Sequence, residues 1–275
     1  AILVEREKEI AGFVPQDFYV LTANFGDYQG QWFDEKAPDE RTAHRILKKE
    51  EAERIQQAVR GKTATVTRAE TQPKRELPPQ LFDLTSLQRE ANRVLGFTAD
   101  KTLKTAQSLY EGKKALTYPR TDSRYLPNDM IGRVNKALAS LPDSYQQAVA
   151  GIPRKEGKLP YSRRIFDDSR VSDHHAIIPT PQQADLSKFT ADERALYNLV
   201  ALRFIAAFYP AFEYDQTTVI TKAEGEAFRS YGRVVTQKGW KAVIKSDAKK
   251  KEAEEDKALP PLSIGDSRKV AGITR

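Results

Sequence analysis

The sequence predicts an α+β protein in which a discontinuous β-rich domain is interrupted by an inserted helical domain, and three observations carry that expectation. Residues 13–33, FVPQDFYVLTANFGDYQGQWF, are rich in aromatic and β-branched residues broken by glycines, and GKTATVTRAETQ from Gly61 alternates threonine with valine as a half-buried strand does. From about residue 80 to residue 209 the pattern turns helical. After Pro210 it returns to strands, with FEYDQTTVITKAEGEAFRSYGRVV reading as a hairpin that turns at Glu224-Gly225.

The elements follow in order. AILVEREKEIAGF opens inside a helical pattern, without an initiator methionine or a signal-peptide architecture, so the chain is expected to be a piece of a longer protein. DERTAHRILKKEEAERIQQAVRG, 39–61, is built of strong helix formers and stops at Gly61, which predicts one helix. The three prolines of PKRELPPQLF place a domain boundary near residue 79. LTSLQREANRVLG is a helix capped by Thr85 or Ser86 and ended by Gly96. FTADKTLKTAQSLYEG is a second, starting at Thr98, with Leu103, Ala106, Leu109 and Tyr110 on one face and a stop at Gly112. Two short helices around a tight Gly-Phe-Thr turn predict a helix-turn-helix unit. A further helix follows Pro127, and FTADERALYNLVALRFIAAFYP opens on a Thr190 to Glu193 capping box and stops at Pro210. KSDAKKKEAEEDKALPP, 245–261, is charge-mixed and reads as a solvated loop.

Composition narrows the function classes. The chain has 275 residues and a net charge of +7, which favours a polyanionic partner without naming it. It has no cysteine, which removes disulfides, thiol catalysis and Cys-ligated zinc, and only three histidines, two of them adjacent. No apolar run approaches the ~20 residues of a membrane span. Gly151 and Gly157-Lys158 stand one residue too far apart for a phosphate-binding P-loop, so ATP use is not indicated. No D-x-D pair offers a magnesium site, and Asp167-Asp168 reads as a solvated turn.

The stretch KKALTYPRTDSRYLPND, 113–129, poses the chemical question. A phenol with a pKa near ~10 must lose its proton as it attacks, and a nearby cation lowers that cost. Arg120 offers a planar, permanently charged fork that can also grip a phosphate. Tyr118 attacking a phosphodiester would store the bond as a phosphotyrosine and leave a free hydroxyl able to reverse the step. The alternative from the same residues is a packed tyrosine ending a strand, with Thr-Asp-Ser as an ordinary turn.

The order of elements bears on that choice. LTSLQREANRVLGFTADKTLKTAQSLYEGKKALTYPRTDSRYLP, 84–127, resembles the nucleophile segment of type IA DNA topoisomerases, and VSDHHAIIPT, 171–180, resembles that family's second signature. The flanks VEREKEIAGFVPQDFYVL and LPPLSIGD resemble its strand-rich arch, and TYPR and HHAIIPT are most similar to the bacterial and plasmid topoisomerase III branch. The resemblance implies a β-rich hinge domain at 11–79 and 210–270, and a helical domain at 80–209 that carries the nucleophile and a CAP-like helix-turn-helix. Residues 1–10 would end a helix of a preceding domain, and 271–275 would begin a following one. It implies that Tyr118 forms a 5′-phosphotyrosine bond, that Arg120 neutralises the scissile phosphate, that Asp122 orients this arginine or a neighbouring group, and that His174 bonds a phosphate or positions a carboxylate. His175, Thr85, Ser86, Gln88, Arg89, Lys113 and Ser123 are the DNA-binding candidates. The helix opening at 85–89 adds free N–H groups and a favourable dipole for phosphate.

The resemblance further implies magnesium held by a domain upstream of Ala1, no metal site in this chain and no ATP. Its partners would be single-stranded DNA and the upstream and downstream domains of the same polypeptide. A bacterial, cytoplasmic, DNA-associated monomer is expected, with no membrane attachment, relaxing or decatenating DNA when complete and inactive as a fragment. Two rival readings stand beside it: a non-catalytic helix-turn-helix nucleic-acid-binding module, and a tyrosine recombinase, which needs several dispersed arginines and a histidine before a late tyrosine, an order this sequence does not match.

Overall fold

The computed structural model describes residues 2–244 and 257–275, so most of the charge-mixed segment read as a loop lies outside the described residues. The chain divides into two compact units, one of Ala1–Pro73, Asp215–Val234 and Glu252–Arg275, the other of Lys74–Tyr214 and Val235–Lys251.

The first unit opens with α1 (Ile2–Ala11), which buries no residue. Its sheet strands are β1 (Thr22–Asn24), β2 (Gln29–Trp32), β3 (Thr63–Glu76), β4 (Phe212–Ala223), β5 (Glu226–Gln237), β6 (Ser267–Lys269) and β7 (Gly272–Thr274). They lie in the order β6-β3-β4-β5-β2-β1-β7, with β1 antiparallel to both β2 and β7. The hairpin between β4 and β5 turns at Glu224 and Gly225, whose φ of 49° and 82° suit the primed turn that matches strand twist.

The single helix expected over 39–61 is two. α2 (Glu40–Ala43) is capped by Asp39, and α3 (Lys49–Val59) follows after a break. The break has a physical cause: Ile46 pairs with Tyr19, each N–H donating to the other's carbonyl at 3.0 and 2.8 Å, so the backbone there is committed to a bridge rather than to a helix. α3 buries Ala52, Ile55 and Val59 against Leu21, Phe25 and Phe228, the core of this unit.

The second unit is helical: α4 (Leu84–Leu95), α5 (Ala99–Gln107), α6 (Ile131–Ala139), α7 (Asp143–Ala150) and α8 (Ala191–Ala206). α8 has the expected Thr190–Glu193 capping box and is apolar around most of its circumference, with Leu196, Val200, Ala201, Phe204 and Ile205 all fully buried. α4 ends at Gly96 in the left-handed conformation, but its cap is Asp83, not Thr85 or Ser86; Ser86 is the other half of the capping box. The second predicted helix stops early: α5 gives way at Ser108–Gly112 to a single π turn, and its buried face is Thr102, Thr105 and Ala106 rather than Leu103. The helix expected after Pro127 begins with a short 3-10 turn, Asn128–Met130, before α6. α7 has no counterpart in the sequence reading.

Candidate active site

Residues 115–127 contain no helix, and their apolar members Ala115, Leu116 and Leu126 are buried, as are Ala176, Ile177 and Ile178 of the second motif. Backbone pairing draws the two stretches together. Leu116 bridges Pro179, and Thr117 N–H donates to the Ile178 carbonyl at 3.0 Å. The Thr117 hydroxyl accepts from Ile178 N–H at 2.9 Å and donates to the Ala176 carbonyl at 3.1 Å. These bonds tie the two stretches in one register.

Thr121 then sets both sides of the site. Its hydroxyl donates to the His174 carbonyl at 3.0 Å, and its own carbonyl accepts from Leu84 N–H at 3.0 Å, tying the start of α4 to the nucleophile stretch. The Tyr118 ring lies 4.3 Å from the His174 ring, centroid to centroid, and 5.4 Å from Tyr110, which meets it edge-on from the π turn. Arg120, Thr121, Asp122 and residues 172–174 line one open depression with Leu84 and Thr85. The Arg120 guanidinium is exposed and donates to Gln107 Oε1 at 3.5 Å, while the Ser172 hydroxyl donates to Asp122 at 3.5 Å. Among the described residues no ion pair joins Arg120 to Asp122.

Five candidates therefore gather: Tyr118, Arg120, Asp122, His174 and Thr85. The others do not. Ser123 is buried and donates to the Arg170 carbonyl at 2.8 Å. His175 turns inward, its Nδ1 at 2.8 Å from the Ala176 carbonyl, and burial holds its pKa below the usual value. Lys113 donates to the Lys188 carbonyl at 2.8 Å and pairs with Glu193 at 3.8 Å, bracing the α8 cap that also accepts from Ser108 at 2.6 Å. Gln88 donates to the Ala99 carbonyl at 3.1 Å, joining α4 to α5, and Arg89 is exposed on α4. Ser86 is spent in the capping box.

Sequence reasoning missed Asp83. It is 7% exposed, accepts from Ser86 N–H at 2.6 Å and pairs with Arg124 Nε at 2.6 Å. Burial pushes its carboxyl up, but the Ser86 bonds and the Arg124 guanidinium outweigh burial and hold it below the ordinary carboxylate value. A fixed anion thus occupies the N-terminus of α4, which weakens the attraction for phosphate expected there. Tyr110 and Gln107 were missed as well, since both read as ordinary helix positions. Among the described residues, no group of three His, Asp or Glu side chains could hold a metal ion, and the residues of the depression do not form a cation cage.

Comparison with known proteins adds an independent line. A family profile described as DNA topoisomerase matches residues 1–274. The chain is 38% identical over its whole length to DNA topoisomerase 3 of Bacillus licheniformis and equally so to that of Bacillus subtilis, and 35% identical over 99% of its length to that of Shouchella clausii. It spans about 37% of the length of each of these relatives. A solved structure of full-length topoisomerase I from Thermotoga maritima matches 99% of this chain and 42% of its own with a TM-score of 0.71, at 23% identity, a likeness of fold.

Proposed function

The chain belongs to the type IA DNA topoisomerase family and is similar to topoisomerase III, and on that premise we propose that it carries the nucleophile of an ATP-independent enzyme that breaks and rejoins one DNA strand. Tyr118 Oη attacks the phosphorus of a phosphodiester, the Tyr118 O–P bond forms, the P–O3′ bond breaks, and the released 3′ oxygen takes a proton. Because one phosphate ester replaces another, the 3′ hydroxyl can attack in return and free the tyrosine without ATP.

Arg120, exposed at the rim of the depression, supplies a permanent positive charge and a bidentate grip for the phosphate oxygens. His174, ring against ring with Tyr118, bonds a phosphate oxygen or positions a carboxylate, and restricts where the phenol can point. Asp122 holds Ser172 and through it the loop that carries His174. Thr85 supplies a hydroxyl at the mouth of the site. Magnesium, if held by carboxylates of another domain, would screen the phosphate charge. Residues 80–209 would be the nucleophile domain, with a helix-turn-helix in α4 and α5, and 11–79 with 210–270 the hinge, although the helical compact unit also takes in Val235–Lys251, whose Val243 packs in its core. The substrate is single-stranded DNA in the bacterial cytoplasm, the complete protein acts as a monomer, and the outcome is relaxation or decatenation.

The observation that carries this reading is the Tyr118 ring 4.3 Å from His174 beside the depression that Arg120 lines. Its test is relaxation of negatively supercoiled plasmid by the full-length parent protein. Tyr118→Phe should abolish turnover and leave DNA binding in place; a Tyr118→Phe protein that still relaxes plasmid makes Tyr118 a packing residue.

A further inference from the structure

We propose that Tyr161 and Arg163 form a second contact for single-stranded DNA, a stacking platform for one base, built by residues that share no member with the depression at Tyr118. Tyr161 is 57% exposed. It is not loose. It stacks parallel to Phe166, with centroids 5.8 Å apart and planes within 8°, and Phe166 is itself 1% exposed and anchored in the core. The Tyr161 hydroxyl donates to Asn128 Oδ1 at 2.9 Å. Asn128 in turn donates to Asp168 through its backbone N–H at 2.9 Å and through its side-chain amide. The ring is therefore held flat before any ligand arrives, so a stacked base pays little ordering cost.

Charge selects the ligand. Residues 153–170 carry six basic and three acidic side chains. Of the two aspartates beside the platform, Asp167 pairs with Arg170 at 3.9 Å and accepts from Ser169, whereas Asp168 accepts from the neutral Asn128 and keeps its charge, so the phosphate belongs on the Arg163 side of the ring. Arg163 lines the same depression as Tyr161 and Phe166, is exposed, and joins no ion pair among the described residues. An exposed π face beside a free guanidinium suits a ligand with a flat aromatic group and a phosphate, which is a nucleotide unit of a single strand. The platform is also wired to the nucleophile stretch: Leu126 N–H donates to the Ile165 carbonyl at 2.8 Å, and Asp167 N–H to the Leu126 carbonyl at 3.0 Å. Leu126 is eight residues from Tyr118, so the two lie within about 29 Å at most.

The choice of DNA rests on the topoisomerase reading, and the experiment separates the two. The full-length parent protein is irradiated with a single-stranded oligonucleotide bearing 5-iododeoxyuridine at each position in turn, and the adduct is mapped by peptide mass spectrometry. Affinity is measured in parallel at low salt. The proposal expects an adduct at Tyr161, retained in Tyr161→Phe, and an affinity about tenfold lower in Tyr161→Ala. Arg163→Ala should bind more weakly with a salt slope shallower by about one. Absence of the Tyr161 adduct with unchanged affinity in Tyr161→Ala, while Arg120→Ala still weakens binding, overturns the platform and leaves the topoisomerase reading standing. A full-length wild-type parent protein that binds no single strand at low salt overturns both.

Discussion

Tyr118 has two aromatic neighbours, and they act differently. His174 meets the ring at 4.3 Å on a turn whose carbonyl Thr121 holds, whereas Tyr110 touches edge-on at 5.4 Å from the π turn. Replacing His174 by Ala in the full-length parent should slow single-turnover strand cleavage by about a hundredfold, the scale of a lost polar group that acts in the transition state, with little change in oligonucleotide affinity. The adjacent His175 is a different matter. Burial depresses its pKa, the Ala176 carbonyl bond opposes that, and the charges of His174, Arg133 and Asp129 follow. A histidine depressed in the folded state stays neutral there while the unfolded chain binds a proton near pH ~6.5, so its contribution is whole above that pH and is lost as pH falls through the folded pKa. Thermal melts between pH 7.5 and 5 should fall more steeply for the wild type than for His175→Gln; parallel curves would remove His175 from the account.

At the scale of elements, the start of α4 depends on one carboxylate with two duties. Asp83 caps the helix and pairs with Arg124 across 41 residues. Asp83→Ala loses a cap worth about 1 kcal/mol and a pair that, with Arg124 about a third exposed, adds about as much again, so urea denaturation should show a loss of about 2 kcal/mol. Gly239 sets a second test. Its φ is 45° and an added Cβ would collide with the Ala211 carbonyl, a backbone atom that cannot swing away. Gly239→Ala should cost more than about 2 kcal/mol by the same measurement. These two positions also explain what the sequence could and could not convey. The Tyr118 stretch, the 171–180 motif, the α8 cap and the Glu224-Gly225 turn are contiguous strings with local chemistry, so they are readable without a fold. Asp83 with Arg124, and Ser108 with Glu193 across 85 residues, have no period and no spacing rule, so they emerge only when the chain closes on itself. The helix expected over 39–61 broke for the same reason, because the Tyr19–Ile46 bridge is a tertiary decision that overrides helix propensity.

For the molecule as a whole, the net charge is +7 and the chain passes from one compact unit to the other inside β3, β4 and β5. Binding of single-stranded DNA should weaken steeply as salt rises from 50 to 200 mM, with a slope that counts the phosphates neutralised; a flat salt dependence would show that the charge serves solubility alone. The chain spans about 37% of its relatives, so the chemistry is to be sought in the parent protein. The most direct measurement is to trap the parent protein on a labelled single-stranded oligonucleotide with magnesium, digest the denatured adduct, and identify the residue that carries the DNA. The account predicts a 5′-phosphate ester on Tyr118 and no adduct in Tyr118→Phe; an adduct on any other residue, or one that survives the substitution, would contradict it.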